Sequence, residues 1–111
     1  MMVLLYSPFP SLEAARLASH AMLQTGAVAC CNLITATESH FVWQGEPTHA
    51  KEVILIAKTI AESEALARQV LAANHPYECP AILSFPALAN PAFMAWAAAA
   101  IGSGKKPDKG D

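Results

Sequence analysis

Residues 75–80 (HPYECP) gather an imidazole, a phenol, a carboxyl and a thiol between two prolines. Imidazole nitrogen, carboxylate oxygen and thiolate sulfur are groups that bind copper or zinc in proteins. Each proline locks its own φ and biases the residue before it toward an extended conformation, so the segment cannot continue a helix. The pattern predicts a rigid loop in which His75 binds a divalent ion with Glu78 or Cys79. The alternative is a structural loop whose polar groups satisfy packing and hydrogen bonds.

A second pair of imidazoles, His40 and His49, lies on either side of a predicted hairpin turn at 44–45 (Gln-Gly). A two-residue turn there sets His40 directly opposite His49 on antiparallel strands. Opposed residues have Cβ atoms about 4.5–5.5 Å apart, which lets two imidazoles share one divalent ion. The same register places Glu38 opposite Lys51 as an exposed ion pair. The alternative is a solvated histidine pair, because a bulge would break the register.

Motifs for covalent or phosphate chemistry are missing from the sequence. It has no P-loop, GxGxxG or HExxH pattern, and no recognisable nucleophile with an adjacent base. Residues 7–10 (SPFP) lack glycine and arginine and contain two residues without an N–H, so they make a poor anion cradle. Cys30, Cys31 and Cys79 form no CxxC pair. The sequence therefore predicts a protein that is not an enzyme.

Seven elements must position these groups, and the apolar spacing together with the turn residues predicts each of them. Their order is β-α-β-β-α-β followed by one more helix, which predicts an α+β, ferredoxin-like sandwich with a long central hairpin and an extra C-terminal helix. Right-handed crossovers place the two main helices on one face of the sheet. The predicted bounds are strand 3–6, helix 11–25, strand 28–43 with a bulge near 35–37, strand 53–57, helix 62–73, strand 81–86 and helix 91–101.

The chain of 111 residues has room for one domain, predicted at 1–101, and the polar segment 102–111 is predicted to be a disordered tail. Hydrophobic residues make up 54% and charged residues 14%, which is more apolar side chain than a monomer of this size can bury. The run 53–57 (VILIA) is apolar on both faces. We therefore expect an oligomer in which one face of this strand meets another subunit. Lys58, at the end of the run, is expected to pair with Glu52 or Glu78.

Composition also limits the partners. No stretch provides the roughly 18 apolar residues of a membrane-spanning helix. A net charge of −2 without a basic stripe argues against nucleic acid. Residues 1–6 (MMVLLY) have no basic flank and no small-residue cleavage site, so they read as a strand rather than a signal peptide, and the cytoplasm is the expected location.

Five motifs follow one another along the chain: 29–34 (ACCNLI), 42–45 (VWQG), 52–59 (EVILIAKT), 75–80 (HPYECP) and Trp96. Taken in this order, they resemble the motifs of the CutA-type divalent-cation tolerance proteins. The resemblance implies a homotrimer whose hairpins pack against neighbouring subunits, with a divalent metal, copper or zinc, or a small ligand at the subunit clefts.

The sequence departs from the family at the positions where some members are thought to bind copper. Those positions are occupied here by Tyr6, Asn74 and His75, and of these only the imidazole is a good copper ligand. The runner-up interpretation is a PII-like signalling trimer that binds effectors between protomers. That design needs an extended loop for partner contact, which a two-residue turn at 44–45 does not leave.

Overall fold

The computed structural model describes residues 1–102. Four strands form one antiparallel sheet in the order β2-β3-β1-β4, and three helices pack around it. This order confirms the predicted ferredoxin-like arrangement. No helix in this part of the chain is both long and apolar enough to cross a membrane. The elements are β1 (Met2–Phe9), α1 (Leu12–Gln24), β2 (Cys30–Trp43), β3 (Glu46–Ile60), a 3-10 turn (Ala61–Ser63), α2 (Glu64–Ala73), β4 (Leu83–Ala87) and α3 (Pro91–Ala100).

The first strand is longer than predicted. Ser7 and Pro8, expected to lie in a connector, continue β1 as far as Phe9. Pairing of β1 with β4 stops at Tyr6, so from that point the strand has β3 as its only partner. A strand with one free side tolerates the missing N–H of proline.

The fourth strand begins two residues later than predicted, at Leu83. The carbonyls before it are bound by side chains instead of by a neighbouring strand. Ser7 Oγ donates to Ala81 O at 2.7 Å, and an Arg68 N–H donates to Ile82 O at 3.1 Å. Side-chain bonds thus fix the chain between residue 80 and β4, which ends the loop 75–80.

One face of the sheet carries the core. Alternate residues of β1 and β3 point toward α1 and α2, as the two-residue period of a strand requires. The largest fully buried apolar side chains come from β1, β3 and both helices: Leu5, Phe9, Met22, Leu55 and Leu71.

The opposite face of the sheet, called here the open face, is covered in part by α3, where Lys58 Nζ lies 5.7 Å from the ring centroid of Phe93. Strand register places Ile34, Leu83 and Phe85 on this face, and each is 48% exposed. Ile54, on the same face, is 4% exposed. Much of the apolar open face is therefore left in contact with solvent in a single chain.

The central hairpin has the predicted turn, bulge and register. Gln44 and Gly45 both have positive φ, 51° and 80°, which makes the two-residue turn. The bulge falls between Ile34 and Thr37, around Ala36 with φ 60°. Because β1 ends opposite Val53, residues 37–52 continue past the sheet as a two-stranded ribbon, called here the ribbon.

Gly26, which closes α1, is expected to be intolerant of a side chain. Its φ is +73°, and an added Cβ would lie 2.8 Å from Gly102 Cα, whose residue donates its N–H to Gly26 O at 2.9 Å. We expect Gly26→Ala to lower the free energy of unfolding by about 1–3 kcal/mol, measured by urea denaturation. Gly45→Ala is the matched control, because Gly45 also has positive φ but an added Cβ would meet nothing within 4 Å. An equal loss in both variants would contradict the predicted clash.

Gly102 was assigned by sequence to the predicted tail, yet it makes this backbone bond to the domain. The remainder of that segment, 103–111, lies outside the described residues, so its predicted disorder stays a prediction.

Candidate functional site

A cleft of about 620 Å³ lies between the ribbon and the loop 75–80. β2 contributes three alternate side chains to it: Ser39, Phe41 and Trp43. They share one face of the ribbon with Glu52 of β3, because every second residue of a strand points the same way. The loop supplies the facing wall. The lining residues are Pro8, Ser39, Phe41, Trp43, Glu52, Tyr77, Glu78, Cys79 and Ala81.

Tyr77 and Glu52 tie the loop to the ribbon across this cleft. The Tyr77 hydroxyl donates to Glu52 Oε2 at 2.7 Å. Desolvation raises the pKa of Tyr77 to about 12, and the hydrogen bond to Glu52 and its negative charge act in the same direction. The phenol therefore remains a donor throughout the physiological pH range.

The hydrogen bond from Tyr77 to Glu52 is expected to be lost in the alkaline range, when the phenol gives up its proton. The pKa of the Tyr77 phenol in the folded chain lies above the ordinary value of about 10, so folding retains its proton. Its contribution to stability is present below pH 10 and is lost as the pH rises from there toward about 12. A tyrosinate absorbance titration should show this late midpoint, missing in Tyr77→Phe and moved toward 10 in Glu52→Gln. An unmoved midpoint in Glu52→Gln would contradict the assigned role of the carboxylate.

His75 is held between β1 and its own loop. Its ring stacks on Phe9 with centroids 4.0 Å apart. Nε2–H donates to Pro8 O at 2.9 Å, and Nδ1 accepts from the Tyr77 N–H at 3.2 Å. Because the carbonyl only accepts, these bonds assign the neutral tautomer with its proton on Nε2. Desolvation lowers the pKa of His75, which favours the same neutral form.

The structure separates the predicted loop ligands by role. Glu78 and Cys79 line the cleft, whereas His75 does not and has both nitrogens engaged by backbone. His75 would bind an ion only by giving up one of these bonds, so its geometry suits positioning of the loop better than ligation.

His40 and His49 lie on the other face of the ribbon, as the predicted register requires. Their ring centroids are 5.5 Å apart with an interplanar angle of 30°, and they line a groove of about 340 Å³. Glu38 lies opposite Lys51 as predicted, but the predicted ion pair between them is not formed within residues 1–102. The Glu38 carboxylate instead lies beside His40, with Oε2 3.5 Å from His40 Nε2.

Residues 1–102 contain no group of three or more His, Cys, Asp or Glu side chains placed to hold a metal ion. Within one chain the candidate ligands occur as pairs, Glu78 with Cys79 and His40 with His49. Two protein ligands fit a divalent ion whose coordination is completed by water or by a second chain.

Sequence reasoning missed the partner of Glu52. This carboxylate was expected near Lys58, but the lysine lies over the Phe93 ring and Glu52 accepts from Tyr77. Counting alternate positions from the bulge would have placed Glu52 on the face of Ser39 and Phe41, and so in the cleft.

A family model described as "CutA1 divalent ion tolerance protein" matches residues 3–100. The "Divalent-cation tolerance protein CutA" of Thermus thermophilus is 32% identical over 88 residues, or 78% of this chain and 85% of the relative.

Solved structures agree with the sequence relatives. CutA1 from Ehrlichia chaffeensis has a TM-score of 0.86 at 32% identity, covering 90% of this chain and 94% of that one. A protein described as "Periplasmic divalent cation tolerance protein CutA", from Archaeoglobus fulgidus, has a TM-score of 0.86 at 30% identity, covering 91% and 99%. The resemblance drawn from the motifs is confirmed.

Proposed function

Because this chain belongs to the CutA1 family of divalent-ion tolerance proteins, we propose that it acts in the cytoplasm as a non-enzymatic homotrimer. In this proposal its clefts, closed by neighbouring subunits, bind a divalent ion, copper or zinc, or a small ligand.

The observation that carries the proposal is the exposed apolar surface on the open face. Ile34, Leu83 and Phe85 leave about half of each side chain in contact with solvent. Pro8 and Glu52, which line the cleft, share the open face with them by register. A neighbour packed on this face would remove apolar area from water, at roughly 25 cal/mol per Å², and would close the cleft in the same step.

The ligand chemistry of the cleft supports an ion in this place. Glu78 and Cys79 are exposed at its rim, and a thiolate selects copper or zinc over harder ions. Two ligands from each chain leave coordination positions on the ion that another subunit can fill. His75, tied by two backbone bonds, is not free to act as a base for the thiol, which supports a binding role over nucleophilic catalysis. The PII-like alternative gains no support, because the hairpin ends in two residues.

Native mass spectrometry of metal-free protein titrated with Cu²⁺ and with Zn²⁺ tests the proposal. We expect assemblies of three chains that take up ions, and uptake that falls in Glu78→Gln/Cys79→Ser. A control variant, His40→Ala/His49→Ala, should keep the cleft ion. Single chains that bind no ion would overturn the proposal, and trimers without ion uptake would overturn its metal part.

A further inference from the structure

We propose that His40 and His49 form a second divalent-metal site on the ribbon, on the face away from the cleft, for an ion that favours imidazole such as Cu²⁺, Ni²⁺ or Zn²⁺. The inference goes beyond the proposed function, because it holds whether or not the cleft binds an ion.

The hairpin register brings the two histidines as close as a sheet allows. A two-residue turn makes Trp43 and Glu46, which flank it, a hydrogen-bonded pair. Hydrogen-bonded and non-hydrogen-bonded pairs then alternate along the ribbon. Pro47 falls at a non-hydrogen-bonded pair, where its missing N–H costs the ladder nothing. His40 and His49 occupy the next pair of that kind, whose side chains lie closer than those of a hydrogen-bonded pair.

The imidazoles need little rearrangement to share an ion. Their rings already face each other, with centroids 5.5 Å apart. The χ2 torsion of histidine is broad, so one nitrogen of each ring can turn toward a common point. Imidazole nitrogen binds zinc at about 2.0–2.1 Å, so an ion between two rings whose centroids are 5.5 Å apart lies within reach of a nitrogen from each. The backbone of the paired strands holds both Cα atoms in place, which lowers the entropy lost on binding.

Glu38 completes the arrangement from the same face. It lies two residues before His40 on β2, so both side chains point the same way. Its Oε2 is 3.5 Å from His40 Nε2, within reach of the ring nitrogen that an ion on Nδ1 would leave free. A carboxylate in that position orients a metal-bound imidazole and raises its basicity. In this arrangement the two imidazoles supply the ligand nitrogens, and Glu38 acts through the His40 ring.

The site is open to ions in the single chain. His40 and Glu38 have side-chain exposures of 68% and 66%, and the groove between the histidines is otherwise lined by Phe41, Val42, Pro47 and Thr48. An ion can therefore enter without any movement of the core, and removal of either imidazole should leave the fold intact.

The test uses the full chain carrying Glu78→Gln/Cys79→Ser, so that cleft binding does not contribute. Calorimetric titration with Ni²⁺, Zn²⁺ or a weakly chelated Cu²⁺ should show one ion per chain. His40→Ala and His49→Ala should each lower the affinity by about tenfold or more, because one of two ligands is lost. The electron paramagnetic resonance spectrum of the Cu²⁺ complex should show coupling to two nitrogens, reduced to one in either variant.

His20→Ala is the matched control, since His20 is an exposed histidine on α1 remote from the ribbon register. It should leave affinity and spectrum unchanged. Equal affinity in the parent, His40→Ala and His49→Ala would overturn the ribbon site, as would no binding once the cleft ligands are removed. Melting curves that match the parent confirm that a loss of binding is not a loss of fold.

Discussion

Leu55→Asp is expected to prevent the chain from folding. Leu55 is fully buried in the core between the sheet and the helices. Loss of a buried leucine side chain costs about 2–5 kcal/mol, and an unpaired buried carboxylate adds several more. Together these approach or exceed the stability of a typical small domain, about 5–15 kcal/mol.

Circular dichroism and the yield of soluble protein measure this effect. Leu17→Asp is the matched control, because Leu17 lies on α1 and is 65% exposed. It should fold with nearly the parent melting temperature. A cooperative Leu55→Asp transition at the parent temperature would mean that the core has been assigned to the wrong face of the strand.

Ile34→Asp/Phe85→Asp is expected to convert the proposed trimer into folded single chains. Both residues lie on the open face, half exposed, so the new carboxylates stay hydrated in one chain but would be buried unpaired in an assembly. Analytical ultracentrifugation should report three times the 11.7 kDa chain mass for the parent and the chain mass for the variant.

The same Leu17→Asp control should remain trimeric, since its new carboxylate lies on the helix side, away from the open face. A variant that sediments with the parent mass would show that the open face is not the interface. A parent that sediments as a folded single chain at micromolar concentration would remove the trimer from the proposed function.

The register of the ribbon could be predicted because it depends on local chemistry. Gln44 and Gly45 suit a turn with two positive φ values, and such a turn determines every pair along the hairpin until the bulge. His40 and His49 were therefore placed correctly from sequence. The end of β1 could not be predicted in this way, because Ser7 and Pro8 read as a connector until the partner strand is known.

The cleft depends on contacts that sequence spacing does not reveal. Tyr77 meets Glu52 across 25 positions, and His75 meets the Pro8 carbonyl across 67. Both bonds form only after the loop packs on the ribbon and on the end of β1. The histidine that sequence reasoning favoured as a ligand thus has its nitrogens taken by the backbone, while the carboxylate assigned to Lys58 lies in the cleft.

Beyond Val53 the ribbon has lost β1 as a neighbour, so both of its edges present main-chain N–H and C=O groups outward. Edges of this kind accept a further strand from another chain, including an unfolded one. Pro47 interrupts one edge, because at a non-hydrogen-bonded pair its N–H would point outward and proline has none. The bulge at Ala36 bends β2 just before the other edge of the ribbon begins. An added strand is thereby confined to short stretches that end at the proline, the bulge or the turn, which lowers the tendency of crowded chains to aggregate through the ribbon.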